Sequence, residues 1–281
     1  MNEYKIRTMT KNELSIAIDW AANEGWNPGL YDLDSFYNAD PNGFLIGLLD
    51  GQPIATISAV KYGKSFGFLG FYIVEPNCRG KGYGLKIWNV GLEYLSGRNI
   101  GLDGVVVQQD NYRKSGFKLA YSNLRYVGIG DGQSTDSKEI VPLSMVSIDE
   151  LIAYDKPFFP DDRTEFLTSW ITQKDSTALG YLQDGKLAGY GMLRVCRTGF
   201  KIGPLFANSK AIAHSLFNAL KSNVTDGSPF YFDPPEVNES AIEIAKENDM
   251  KVVFETARMY TGAFPDLPLD KIFGVTTFEL G

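Results

Sequence analysis

Histidine is nearly absent from this chain, which has one, His214, in 281 residues. No partner pattern surrounds it, so a surface or packing role is the plain reading. Cysteine is almost as scarce. Cys78 and Cys196 lie far apart, in no C-x-x-C or Cys/His spacing, which leaves a zinc site or a disulfide framework without support. No histidine stands in the same half as Cys78 to activate it as a nucleophile. No apolar run approaches the ~18 to 20 residues of a membrane span. The opening MNEYKIRTMT lacks the apolar stretch of a secretory signal. These absences predict a soluble, cytoplasmic protein with reduced thiols and no metal. Basic residues are outnumbered, 27 Lys and Arg against 34 Asp and Glu, for a net charge of -7. The broad basic footprint that nucleic acid or an anionic membrane requires is missing, although a local site for a small anion stays open.

What is present is ordinary for a globular chain: 44% hydrophobic and 22% charged residues. At roughly 150 residues per domain, the length allows one large unit or two smaller ones.

The most informative stretch is FYIVEPNCRGKGYGLKIWNVGLEYL, Phe71 to Leu95. The residues leading in, FLGFYIVEP, are β-branched and aromatic and stop at Pro76, which reads as a buried strand and its end. Leu85, Trp88, Leu92 and Leu95 then recur at steps of three and four, the mark of a helix with one buried stripe. RGKGYG therefore lies where a strand turns into a helix. Glycine allows positive φ or close backbone approach there, and the first helical turn leaves amides unpaired. With the helix dipole, Arg79 and Lys81, the place suits a phosphate or pyrophosphate. A flexible turn with solvated cations would share this composition. The spacing matches neither G-x-G-x-x-G nor a Walker loop.

Arg79-Gly80-Lys81-Gly82-Tyr83-Gly84 after Val74-Glu75-Pro76 resembles the acetyl-CoA loop, [Q/R]-x-x-G-x-[G/A] after V-x-P, of the GCN5-related N-acetyltransferases (GNAT family). YRKSGF, Tyr112 to Phe117, resembles the end of that family's fourth helix. The family's usual Asn about seven residues before the tyrosine is here Val105, so that helix is expected to be short. GVVVQQ, just ahead, is expected to be a strand beside the coenzyme strand.

The chain also repeats. GLLDGQPIATISA at 47 to 59 is answered by YLQDGKLAGYGML at 181 to 193, each with the strand, D-G turn and strand pattern of a hairpin. VEPNCRGKGYGL at 74 to 85 aligns without gaps with LFANSKAIAHSL at 205 to 216, where the glycines have become Ala211, Ala213 and Ser215. NESAIEIAKENDM, Asn238 to Met250, follows the same family pattern with Ala245 in place of the tyrosine, and Arg258 follows Met250 by eight residues as Arg125 follows Phe117. The expected architecture is a mixed α/β (α+β) one. Two tandem GNAT-like domains, 1–135 and 136–281, would each carry a mixed, mostly antiparallel central sheet flanked by helices. Side chains at 211, 213 and 215 would crowd a pyrophosphate, and alanine carries no proton to donate. The second domain is expected to be degenerate and non-catalytic. GIGDGQSTDSKE reads as the linker. Asn12 is a candidate cap for the first helix, and Ser147 to Glu150 follows a capping-box pattern.

The resemblance implies direct acetyl transfer from acetyl-CoA to an amine, with no covalent enzyme intermediate. Loop amides at Arg79 to Gly84 would hold the pyrophosphate and the strand at Tyr72 and Val74 the pantetheine arm. A backbone amide of that strand would polarise the thioester, and Tyr112 would protonate the departing thiolate. No general base is assigned: Glu75 lies too close to the pyrophosphate loop and reads as a solvated strand-end acid, and Asp103, which could face the cleft, is equally well explained as a turn residue. Trp26 and Asn27, in NEGWNPGLYDLDSF, stand where the family builds its acceptor cleft. If the second copy packs over that cleft, Asp233 and Arg258 join it, and the acceptor is a small-molecule amine. The competing class is a non-catalytic acyl-CoA-binding sensor.

Overall fold

Two Asp-Gly pairs turn the chain at equivalent points of its two halves. Asp50 and Gly51 have φ of +49° and +81°, and Asp184 and Gly185 have φ of +51° and +76°. Both residues of each turn sit in the left-handed region, whose twist matches that of a hairpin. The structure, a computed structural model, describes residues 3–133 and 137–281. The expected domain boundary between 135 and 136 lies outside the described residues, as does part of the expected linker.

The first half runs β1 (Tyr4–Thr8), α1 (Leu14–Asn23), α2 (Asp32–Ala39), β2 (Phe44–Leu49), β3 (Gln52–Tyr62), β4 (Phe66–Val74), α3 (Tyr83–Tyr94), β5 (Asn99–Val105), α4 (Gln109–Lys114) and β6 (Lys118–Ile129). The second half repeats this order with β7 (Ile140–Pro142), α5 (Ile148–Asp155), α6 (Thr164–Trp170), β8 (Ser176–Gln183), β9 (Lys186–Val195), β10 (Phe200–Ala207), α7 (Lys210–Lys221), β11 (Pro229–Phe232), α8 (Glu239–Glu247) and β12 (Lys251–Tyr260), and adds β13 (Ile272–Gly274). The helix ends are locally encoded, not always as expected. Asn12 does not cap α1; in the turn that leads into the helix, Glu13 Oε2 accepts from the Thr10 amide at 2.8 Å and hydroxyl at 2.9 Å. Ser147 accepts from the Glu150 amide at 3.2 Å, but the Glu150 carboxylate turns away to accept from the Leu187 amide at 2.8 Å, so only half of the capping box forms. GVVVQQ departs from expectation too: the strand ends at Val105, and 106–108 form a 3₁₀ turn.

The two halves share one sheet, in the order β1-β2-β3-β4-β5-β12-β6-β11-β10-β9-β8-β7. Its pairs are antiparallel except for β4 with β5 and β10 with β11. The order is symmetric about the β12–β6 pair, because the halves exchange their sixth strands. β12 pairs with β5 of the first half, and β6 with β11 of the second. A core mixing both halves fills the groove on one face, where Phe36 of α2 stacks on Trp170 of α6 at 5.8 Å.

The copies differ at one decisive place. In each half the fourth and fifth strands pair in parallel for a few residues and then splay. β13 enters the splay of the second half and pairs with β10, Leu205 opposite Gly274 and Phe206 opposite Ile272. Asn238 Nδ2 holds it by donating to the carbonyls of Leu269 at 3.1 Å and Ile272 at 2.9 Å. In the first half the splay is open.

Candidate active site

The open splay begins where β4 and β5 stop pairing. Their register runs from Phe66 opposite Asn99 to Leu69 opposite Leu102. Immediately beyond, β4 also slips against β3, between Thr56 and Ser58, and Phe71 sits at φ +46°. A large residue in that region is strained and persists only when its surroundings hold it. Here Thr56 Oγ1 donates to the Phe71 carbonyl at 2.8 Å, and the Phe71 ring packs edge-on against Phe36 at 5.5 Å. The bulge and the lost partner strand together leave β4 backbone groups facing the gap.

The gap is a cleft of about 850 Å³ running from the glycine loop, past Tyr72, Val74 and Tyr112, to an aromatic end formed by Trp26, Phe71, Phe254 and Phe278. At the loop end, Gly80 and Gly82 have φ of +73° and +82°, and a Cβ added at either would meet nothing within 4 Å. No backbone amide from Gly80 to Leu85 has a protein acceptor among the described residues. Unpaired donors, the positive end of a 12-residue helix and open space over the backbone fit the diphosphate of an acyl-CoA. In the second half Ser209 accepts from the Ile212 amide at 3.4 Å and closes off the equivalent helix start.

Tyr112 lies under the middle of the cleft, its ring stacked on Trp88 at 5.6 Å. Trp88 is itself held by Ser115, to which its Nε1 donates at 3.0 Å. Burial, with a smaller contribution from Tyr72, pushes the Tyr112 phenol up to about 12, so it stays protonated near neutral pH.

The far end is built largely by the second half. Phe254 and Glu255 come from β12, which the strand exchange lays beside β5, and Phe278 and Glu279 come from the segment after β13. That segment packs so tightly that a Cβ added to Gly70 would lie 1.9 Å from the Glu279 carbonyl oxygen. Beneath it are buried charges. Arg125 Nε and Nη2 donate to Asp233 at 2.8 and 2.7 Å, and Arg194 Nη1 donates to Asp32 at 2.5 and 2.6 Å. Lys201, 2% exposed, donates to the carbonyls of Asn27 at 2.9 Å and Trp26 at 3.5 Å. Burial and then the nearby Arg125 guanidinium hold the Lys201 amine below its ordinary value.

Family comparisons agree with this geometry. The model described as the acetyltransferase (GNAT) family matches residues 12–117, and one described as an acetyltransferase (GNAT) domain matches 151–274. The holothin acyltransferase of Pseudoalteromonas sp. (strain SANK 73390) is 31% identical over 269 residues, 96% of this chain and 92% of that one. The chain belongs to the GNAT family. It is an acyltransferase of the tandem type. The crystal structure of a candidate acetyltransferase from Pyrococcus horikoshii has the same fold with TM-score 0.84 at 21% identity, covering 99% of this chain and 96% of that one. A tandem GNAT protein from the clavulanic acid biosynthesis pathway superposes with TM-score 0.64 at 12% identity, over 93% and 100% of the two chains.

Of the residues expected for this GNAT site, Tyr72, Val74, Arg79, Gly80, Gly82, Gly84, Tyr112, Trp26 and Asp103 line the cleft. The side chains of Lys81 and Tyr83 do not; Tyr83 packs its ring on Tyr4 at 4.8 Å. Arg79 donates to the Val74 carbonyl at 2.8 Å and to Glu24 of the α1 C-cap, so its charge is already engaged across the cleft mouth. Asn27 lies outside the cleft, where it accepts from the Thr198 amide at 3.0 Å and donates to the Thr198 carbonyl at 2.9 Å. Asp233 does not reach the cleft either; its carboxylate is taken by Arg125. Asp103 lines the wall, but Arg258 and Asn123 already occupy its oxygens. Burial raises it despite the opposing pull of Arg258.

Phe254, Glu255, Phe278 and Glu279 line the cleft without any sequence expectation pointing to them. Phe254 and Glu255 lie on β12, in the copy read as degenerate, and Phe278 and Glu279 lie after β13, in a segment with no counterpart in the first half. The equal spacing of Arg125 and Arg258 was the available signal that β6 and β12 play equivalent parts.

Proposed function

We propose that this acyltransferase moves an acetyl group from acetyl-CoA to the amine of a small molecule, by direct attack with both substrates bound. The observation that carries the reading is one continuous cleft that joins a cradle of unpaired amides, at Gly80 to Leu85, to an aromatic end formed by Trp26, Phe71, Phe254 and Phe278. The amides and helix start would hold the diphosphate, and the backbone of β4 around Tyr72 and Val74 would align the pantetheine arm. When bound, the thioester supplies the activated acyl group. The bulge at Phe71 offers backbone groups beside the reacting carbon, where a fixed donor helps most as charge develops on oxygen. Tyr112 keeps its proton near neutral pH and is suited to give it to the leaving sulfur.

An acceptor end lined by residues of both halves, with Phe254, Glu255, Phe278 and Glu279 supplied by the second, suits a small molecule, since such sites favour domain interfaces. The Pseudoalteromonas relative, named a holothin acyltransferase, supports acyl transfer as the reaction. We read the second half as non-catalytic, since β13 fills its splay and Ser209 caps the helix that would face a diphosphate. The test is to incubate the protein with acetyl-CoA and a panel of small amines, and to find by mass which compound gains an acetyl group. Turnover that falls sharply in Tyr112→Phe supports the reading. Saturable acetyl-CoA uptake without turnover across the panel would favour a binding-only role.

A further inference from the structure

Glu279 belongs to the second half's closing segment, yet it lines the first half's cleft. It is 3% exposed. Its Oε2 accepts from Thr277 Oγ1, whereas Oε1 is buried with no hydrogen-bond partner among the described residues. A buried carboxylate oxygen left without a donor is costly and calls for an explanation. Its place supplies one. The Glu279 backbone lies against Gly70, one residue before the bulge at Phe71, and Glu279 lines the cleft that this part of β4 faces.

The other acids lining the cleft are less able to take a proton there. Both Asp103 oxygens are engaged by Arg258. Glu24 is bound to Arg79 at the cleft mouth, and Glu255 is exposed and accepts from Ser122 Oγ at 2.8 Å. The charged groups whose fields reach Glu279 are Asp103, Arg125, Arg194 and Lys201. Arg125 and Arg194 each have an aspartate, while Lys201 has only backbone carbonyls.

We infer that Glu279 is the group that accepts the proton of the attacking amine, delivered into the first half's cleft by the second half. This rests on the acyl-transfer reading above. The amine lone pair forms the new N–C bond, the C–S bond breaks, one proton passes from nitrogen to Glu279 Oε1, and one passes from Tyr112 to sulfur. Exchange with water then returns Glu279 and Tyr112 to their starting states.

The experiment compares the parent protein with Glu279→Gln and Glu279→Asp, using an amine that the parent acetylates. Acetyl-CoA affinity is measured by calorimetry and kcat/KM is followed across pH. Expected are unchanged acetyl-CoA affinity and a fall in kcat/KM of ~10²- to 10⁴-fold for Glu279→Gln at neutral pH, the usual scale of a lost general base. That loss should shrink steadily as alkali supplies the free amine, and Glu279→Asp should recover part of it. Parent-like kcat/KM and an unmoved acid limb in Glu279→Gln would overturn the inference while leaving acyl transfer standing. An equal loss in both variants with no recovery at high pH would also overturn it, in favour of a packing role. A parent protein inert towards every amine would overturn the acyl-transfer reading and this inference together.

Discussion

Arg258 on β12 grips Asp103 on β5 through two hydrogen bonds, Nε to Oδ1 at 2.7 Å and Nη2 to Oδ2 at 2.6 Å. Arg125 on β6 makes the same fork with Asp233 just after β11, at 2.8 and 2.7 Å. The two pairs are related by the internal symmetry of the sheet. Each ties the sixth strand of one half to the fifth strand region of the other, so they clamp the strand exchange itself. Bidentate guanidinium–carboxylate geometry is both directional and strong, which suits it to fixing register at a junction of two domains.

Removing one partner of such a pair leaves a buried charge unmatched. Asp233→Ala should destabilise the protein by ~3 to 5 kcal/mol in urea unfolding. Because Asp233 lies outside the cleft, acetyl-CoA affinity of the folded variant should match the parent's. A loss of affinity as large as the loss of stability would mean that Asp233 acts on the site directly.

Gly82 stands at φ +82° over open space. Gly82→Glu should cost ~1 to 2 kcal/mol of stability, the penalty of a left-handed non-glycine residue. It should weaken acetyl-CoA binding at least ~tenfold, a change of about 1.4 kcal/mol, because a carboxylate would then face the diphosphate. Calorimetry reads the affinity and thermal unfolding the stability. Parent-like affinity would remove the loop from the binding site.

The second half should take up no acyl-CoA of its own. Calorimetry of the parent protein should therefore show a single class of site at one molecule per chain. Restoring glycine at Ala211 and Ala213 should add no second site, since β13 still fills the splay. A second saturable event in that variant would show that the loop side chains, and not β13, close the copy.

The buried phenol of Tyr112, raised to about 12, fixes the sign of an alkaline effect. A phenol unfolded near 10 and folded near 12 favours the fold while protonated. Its contribution is complete below about pH 10 and is lost as pH rises from about 10 to about 12. Phenolate absorbance of the parent minus that of Tyr112→Phe should show a step near 12. A step near 10 would mean that Tyr112 is solvated.

Local chemistry determined much of this protein from its sequence. The Asp50-Gly51 and Asp184-Gly185 turns, the strand that stops at Pro76, the helix opened by Gly82 and the short α4 all follow from backbone preferences within a few residues. They made the GNAT resemblance and its coenzyme loop legible. Asp103 and Asp233 show the limit. As acids beside a suspected cleft they read as acceptor contacts, yet each is taken by an arginine more than 100 residues away. The exchange of β6 and β12, the β13 plug and the arrival of Glu279 against Gly70 depend on pairings between distant strands. Such pairings are decided by which burial and which buried charges the whole chain can satisfy at once, and no short window of residues contains that information.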